Sequence, residues 1–198
     1  MISVSRKIWT QQKINKNLVE KVKQDYGFGD ILSQLIISRN YDTSEIYGVD
    51  NHQKLTNIFK DDKDYEKASL ILLNSINNNE NICILGDYDV DGACSTSLLI
   101  RYFSHINQKH FFYIPDRIAD GYGASKKLFQ KLLLKKPKLV IMVDCGSTSN
   151  EAIAYLNKHN IKSIIIDHHE INKPYPKSDA IINPKKEFIK KESSLLCA

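Results

Sequence analysis

The sequence predicts an α/β fold: a parallel sheet flanked by helices and preceded by a small helical N-terminal region. Three observations carry this expectation. After Asn81, short apolar runs of strand length alternate with amphipathic stretches of helix length. Those runs are nearly continuous in apolar residues, as strands covered on both faces require. Before Asn81, apolar residues recur at helical spacing instead.

In chain order, Phe28, Ile31, Leu32, Leu35 and Ile36 fall on one helical face, and Asn40 to Lys63 shows little periodicity. Tyr65, Ala68, Leu72 and Ile76 form a second helical face. The polar stretch Asn77-Asn78-Asn79-Glu80 closes this region, so domains are expected at residues 1–80 and 81–198. Strands are expected at Ile82 to Leu85, Phe111 to Ile114, Leu139 to Val143, Ser163 to Ile166 and Ala180 to Ile182. Between them, Leu99, Tyr102, Phe103 and Ile106 repeat at i, i+3, i+4, i+7. Thr148 and Glu151 have capping-box spacing ahead of Ile153 and Leu156. The closing stretch from Lys185 to Ala198 completes no element, and the chain is expected to stop inside its domain.

Composition narrows the class. A chain of 198 residues with 42% hydrophobic content can bury one core, which excludes wholesale disorder. No apolar run approaches the roughly 20 residues that span a bilayer, and Met1 to Lys16 lacks a secretory signal, so a cytoplasmic location without a membrane partner is expected. Cys83, Cys94, Cys145 and Cys197 show no C-x-x-C spacing and read as packing thiols rather than a zinc cluster. The net charge of +5 is compatible with a polyanionic partner without demanding one. Lys127, Lys131 and Lys135 are spaced i, i+4, i+8 on the helix expected after Gly123, with Lys126, Lys136 and Lys138 nearby. Such a stripe, like Lys185, Lys186, Lys190 and Lys191, either follows a nucleic-acid backbone or is a solvated face.

The chemistry sits at three strand ends. Ile82 to Leu85 is followed by Gly86-Asp87-Tyr88-Asp89-Val90-Asp91-Gly92, Leu139 to Val143 by Asp144-Cys145-Gly146, and Ser163 to Ile166 by Asp167-His168-His169-Glu170. The ends of parallel strands converge on one crevice, so at least six carboxylate or imidazole groups would share a small volume. Gathering those charges costs on the order of several kcal/mol unless cations neutralise them. Oxygen-rich ligation with one or two imidazoles suits Mn²⁺ or Mg²⁺ better than zinc. Two such ions about 3.5–4 Å apart could hold a phosphate and activate a water. Gly86 and Gly92 are expected to permit the sharp turn. Singly, each piece has a plain reading: an acidic turn or Ca²⁺ loop, a helix cap at Asp144, a surface turn at His168-His169. Together, each directly after a buried-type strand, they point to a metal site.

Gly86 to Gly92 with Ala93-Cys94-Ser95-Thr96 resembles the first motif of the DHH phosphoesterases in their RecJ form. Val143-Asp144-Cys145-Gly146 resembles the second motif and Asp167-His168-His169 the third. Pro115-Asp116-Arg117, Asp120-Gly121-Tyr122-Gly123, Asn183-Pro184, Trp9 and Leu35 to Asn40 are also similar to the RecJ pattern, so the resemblance covers nearly the whole chain. It implies Asp89, Asp91, Asp144 and His168 as ligands of two Mn²⁺ or Mg²⁺ ions, with Asp91 or Asp144 able to bridge and Asp87 a further ligand or close neighbour. It implies that His169 faces the phosphate and that Asp167 orients the imidazoles, which makes Asp87, Asp167 and His169 candidate catalytic residues. Arg117 is a candidate phosphate contact alongside His169, its alternative being a salt bridge to Asp116 or Asp120.

The activity implied is a metal-dependent phosphodiesterase, foremost a 5′-to-3′ exonuclease on single-stranded DNA in repair and recombination, with single-strand-binding protein or helicase partners. The alternatives are a DHH enzyme acting on oligoribonucleotides, cyclic dinucleotides or pyrophosphate, and a noncatalytic nucleic-acid-binding scaffold. The family's fourth motif, its C-terminal domain and its added nucleic-acid-binding domains are expected beyond Ala198.

Overall fold

The computed structural model describes residues 6, 8, 10, 13–41, 59, 62–121 and 123–186. The expectations placed on Trp9, Tyr122, Lys190, Lys191 and Cys197, and on most of Asn40 to Lys63, lie outside the described residues. By contact the chain forms two compact units, Met1–Thr56 and Asn57–Ala198.

The first unit contains α1 (Lys16–Tyr26) and α2 (Asp30–Ser38). The Asn15 side chain accepts from the amides of Asn17 and Leu18 at 3.0 and 3.4 Å, and so starts α1. Gly27 ends it at φ 68°, a left-handed conformation that suits glycine. Val22 and Ile36 pack with Tyr26, Phe28 and Ile37. The apolar face expected over Phe28 to Ile36 is only partly used: Ile36 is buried, whereas Ile31 and Leu35 are 78% and 48% exposed. One neighbouring helix covers one side of a nine-residue helix, and apolar spacing wider than that contact overstates burial.

The second unit runs α3 (Lys63–Asn77), β1 (Ile82–Leu85), α4 (Val90–His105), β2 (His110–Tyr113), α5 (Lys126–Leu132), a 3₁₀ turn (Leu133–Lys135), β3 (Leu139–Val143), α6 (Asn150–Lys158), β4 (Lys162–Ile166) and β5 (Ala180–Ile182). Every strand pairing is parallel, in the order β2-β1-β3-β4-β5. Successive strand residues face opposite sides of the sheet, and both sides are apolar. Cys83 and Leu85 join Val140 and Met142 beneath Leu128 and Phe129 of α5 and Ile153 and Leu156 of α6. Ile82 and Ile84 join Leu139 and Ile141 beneath Phe103 of α4 and Ala68 of α3. Each fully buried side chain of this size stabilises the fold by about 1.5–3 kcal/mol. The parallel sheet flanked by helices is therefore the fold that the apolar runs predicted.

α3 packs against β5 within the second compact unit. Two local expectations need correction. The capping box does not form: Ser149 is the N-cap of α6 without a side-chain bond, and Thr148 instead offers its carbonyl to the Asn150 amide at 3.0 Å. α5 ends at Leu132, which places Lys135 in the 3₁₀ turn and breaks the lysine stripe. Lys131 pairs with Asp120 at 2.8 Å, and Lys135 lies over the Phe111 ring at 4.9 Å. Among the described residues, no helix is long and apolar enough to cross a membrane.

The strand order reverses direction between β1 and β3. Chain leaving β1 turns outward to β2, whereas chain leaving β3 proceeds to β4 on the other side. The crevice beyond the carboxyl ends of these strands is where such sheets bind ligands.

Candidate metal centre

The loop from Gly86 to Gly92 leaves β1 and turns directly into α4. Neither glycine adopts a positive φ. They permit the sharp turn through close approach: a Cβ on Gly92 would meet the Asp87 backbone, and one on Gly86 would meet the Thr96 side chain. Asp89 is the N-cap of α4, accepting from the Gly92 amide at 3.0 Å. This fixes one carboxylate oxygen and leaves the other for the crevice. Asp87 is buried, and its Oδ1 accepts from the Tyr88 amide at 2.7 Å.

Asp144 follows β3 directly. It is fully buried, its φ is 60°, and neither carboxylate oxygen has a hydrogen-bond partner. Few residues other than glycine hold such a backbone, although aspartate tolerates it better than most. The His168 Nε2 atom lies 3.1 Å from Asp144 Oδ1 and 3.9 Å from Asp91 Oδ2; the closer approach lacks hydrogen-bond geometry. Two groups of ligand atoms converge within 4.8 Å of one another: Asp87, Asp89 and Asp144, and Asp144, His168 and His169. Asp144 belongs to both. Asp91 stands beside the second group through its approach to His168.

Electrostatics follow this crowding. Burial, and then the neighbouring Asp89 carboxylate, pushes Asp144 up to about 7. The Gly92 amide holds Asp89 below the usual carboxylate range. Two carboxylates this close resist ionising together, and a cation removes that conflict. The orphaned oxygens of Asp144 and the oxygen-rich donor set fit a hard divalent ion.

After β4, Asp167 organises the histidines. Its Oδ1 accepts from His169 Nδ1 at 2.8 Å and from the His168 and His169 amides at 2.8 and 3.1 Å, while Oδ2 accepts from the Ser147 amide at 3.0 Å. Burial pushes Asp167 up, but the bonds from Ser147 and His169 outweigh it and leave the acid below its ordinary value. Burial lowers His169, yet the Asp167 carboxylate prevails and raises it. A carboxylate can only accept, so His169 Nδ1 carries the proton and Nε2 is left for other contacts. Asp167 and His169 also line a cavity of about 630 Å³ that extends toward Ser125 and Ser149.

Arg117 makes neither of its expected ion pairs: it lies over the Tyr88 ring, 5.4 Å from the centroid. Asp120 is taken by Lys131 and by the Tyr113 hydroxyl at 2.6 Å, and Asp116 accepts from the Ile118 and Ala119 amides. Arg117 thus flanks the acidic loop on an exposed turn. Cys83 and Cys145 are buried packing thiols as expected, whereas Cys94 is exposed. Sequence reasoning missed Ser147. It noted Asn183 through the family resemblance but without a role, although both are buried and bonded to this centre; a lone polar residue such as Ser147 carries no sequence signal beyond adjacency to a strand end.

Comparison with known proteins agrees with this geometry. The chain is 28% identical over 183 residues to the single-stranded-DNA-specific exonuclease RecJ of Bacillus subtilis, spanning 91% of this chain and 23% of that protein. It is 33% identical over 120 residues to RecJ of Escherichia coli, spanning 60% of this chain and 21% of that protein. The chain therefore covers less than a quarter of these relatives. A crystal structure of exonuclease RecJ bound to manganese superposes with a TM-score of 0.61 at 27% identity, covering 66% of this chain and 34% of that one. The profile described as DHH family, N-terminal domain, matches residues 81–197, a span that takes in all three strand ends and their converging acids and histidines; the chain belongs to the DHH family.

Proposed function

We propose that this chain holds two divalent cations, Mn²⁺ or Mg²⁺, and forms the metal-binding part of a phosphodiesterase that removes nucleotides from the 5′ end of single-stranded DNA. The observation that carries the reading is Asp144: a buried carboxylate with two unpartnered oxygens, common to both convergent groups of ligand atoms. Desolvating such a group without a partner is unfavourable, and cations held there would supply the missing partners. Asp87 and Asp89 would complete one cation's set, and His168 with Asp91 the other. A cation pair of this kind, when bound, supplies charge neutralisation on the phosphate and an acidified water.

The remaining work falls to the chain's own side chains. Asp167 keeps the His169 ring in one tautomer and orientation, so that Nε2 faces the scissile phosphate. Arg117, resting on the Tyr88 ring, presents its guanidinium to a neighbouring backbone phosphate. The choice of single-stranded DNA rests on the curated relatives, which are named for that substrate.

The protein carrying this chain, supplied with Mn²⁺, is expected to degrade single-stranded DNA, and Asp89→Ala or Asp144→Ala to abolish that activity. Full activity in both variants would dismiss the centre. Preference for two-to-four-residue RNAs or pyrophosphate over long DNA would replace the substrate.

A further inference from the structure

Asn183 follows β5 and is fully buried, yet none of its side-chain polar atoms is idle. Its amide nitrogen donates to His169 O at 2.9 Å and to Ser147 Oγ at 2.8 Å, and its Oδ1 accepts from the Lys185 amide at 2.8 Å. The division of labour is informative. The oxygen serves a local turn two residues on, a role any Asx side chain can fill. Both hydrogens of the nitrogen leave that turn and cross to segments beyond β3 and β4.

Those two donations end on the same target. One holds the His169 peptide directly. The other holds Ser147, whose own amide donates to Asp167 Oδ2, and Asp167 Oδ1 accepts from His169 Nδ1. The ring of His169 is therefore fixed through Asp167 and its backbone through Asn183. The other convergent residues, Asp87, Asp89, Asp91, Asp144 and His168, show no bond to Asn183.

We propose that Asn183, acting with Ser147, is a positioning residue for His169: its amide sets where the imidazole stands without taking part in cation binding. This rests on the phosphodiesterase reading above. Outer partners of metal-ligating imidazoles typically govern 10–100-fold in activity or affinity, and an effect of that order is expected for an imidazole held beside such a centre. Because Asn183 bonds to His169 and to none of the residues assigned above to the two cations, the effect should fall on turnover.

Asn183→Asp separates the two roles, since it keeps the acceptor for Lys185 and removes both donations. In the protein carrying this chain, kcat on single-stranded DNA with Mn²⁺ is expected to fall about 10-fold or more, with KM and Mn²⁺ affinity by calorimetry held within about 3-fold. In the cation-free 198-residue chain with ¹⁵N-labelled histidine, at a pH where the ring is neutral, His169 is expected to lose its single Nδ1–H tautomer for a mixture. Unchanged kcat and an unchanged tautomer overturn the proposal, as does a parallel loss of Mn²⁺ affinity. Should circular dichroism show that Asn183→Asp does not fold, Ser147→Ala carries the decision: a smaller fall in kcat at constant KM supports the role, and no change overturns it. Failure of the protein carrying this chain to bind Mn²⁺ would sink the phosphodiesterase reading alone, because the tautomer comparison uses no cation.

Discussion

Asp144 combines three features that a purely structural residue rarely combines: complete burial, a left-handed backbone and two oxygens without partners. In the absence of metal each is a burden on folding, with an unsatisfied buried polar group alone costing about 1–3 kcal/mol. Asp144→Asn removes the charge at constant shape, and is expected to raise the metal-free Tm by about 2–4 °C per kcal/mol relieved. Thermal unfolding in chelator checks this, and a lower Tm would mean that the carboxylate already has a partner. Asp120 illustrates the opposite balance. The Lys131 ammonium, then the Tyr113 hydroxyl, holds it at about 2. A folded value below the ordinary value of about 3.9 stabilises the native state above that value. That contribution is lost as pH falls from about 4 through about 2. Asp120→Asn is therefore expected to flatten the acid limb of a stability–pH curve, and an unaltered limb would remove Asp120 from the account.

Elements turn these residues toward one another. Asp89 both caps α4 and faces the crevice, so its two roles can be separated. Asn caps a helix as well as Asp does, and Ala costs about 1 kcal/mol. Asp89→Asn should thus keep the stability of α4 while weakening Mn²⁺ binding, whereas Asp89→Ala should lose both. Equal Mn²⁺ affinity in Asp89→Asn would take Asp89 out of the ligand set. Gly92→Ala is expected to destabilise by about 1–3 kcal/mol and to displace Asp87, because its Cβ meets Asp87 backbone that cannot swing aside. The strands were legible because β1 and β3 are buried on both faces and so write continuous apolar runs. The acidic tips were legible because each follows such a run directly. What could not be read depends on contacts made elsewhere in the fold. Ile31 and Leu35 share helical spacing with Ile36, but only Ile36 is buried. Thr148 and Glu151 have capping-box spacing, yet the chain enters α6 one residue later. The role of Asn183 became visible only once β5 was placed beside β4.

At the scale of the whole molecule, the candidate centre is a property of sheet topology. Asp87 and Asp89 follow β1, Asp144 follows β3 and His168 follows β4, so the donors come from three neighbouring strands rather than from one loop. Such a set has these separations only in the folded sheet, and an unfolded chain offers no comparable site. A ligand that binds only the native state stabilises it by mass action, about 2.7 kcal/mol at 100 times its Kd. For a chain of this size that corresponds to a rise in Tm of roughly 5–10 °C. Mn²⁺ is thus expected to raise Tm in a concentration-dependent way, and a chelator to reverse the shift. Asp144→Asn should lose the gain entirely while starting from a higher metal-free Tm, so that the two melting curves cross as Mn²⁺ is added. A parallel Mn²⁺ response in both proteins would place the cations away from Asp144, and with it would fall the claim that the β1–β3 crevice is the seat of the chemistry.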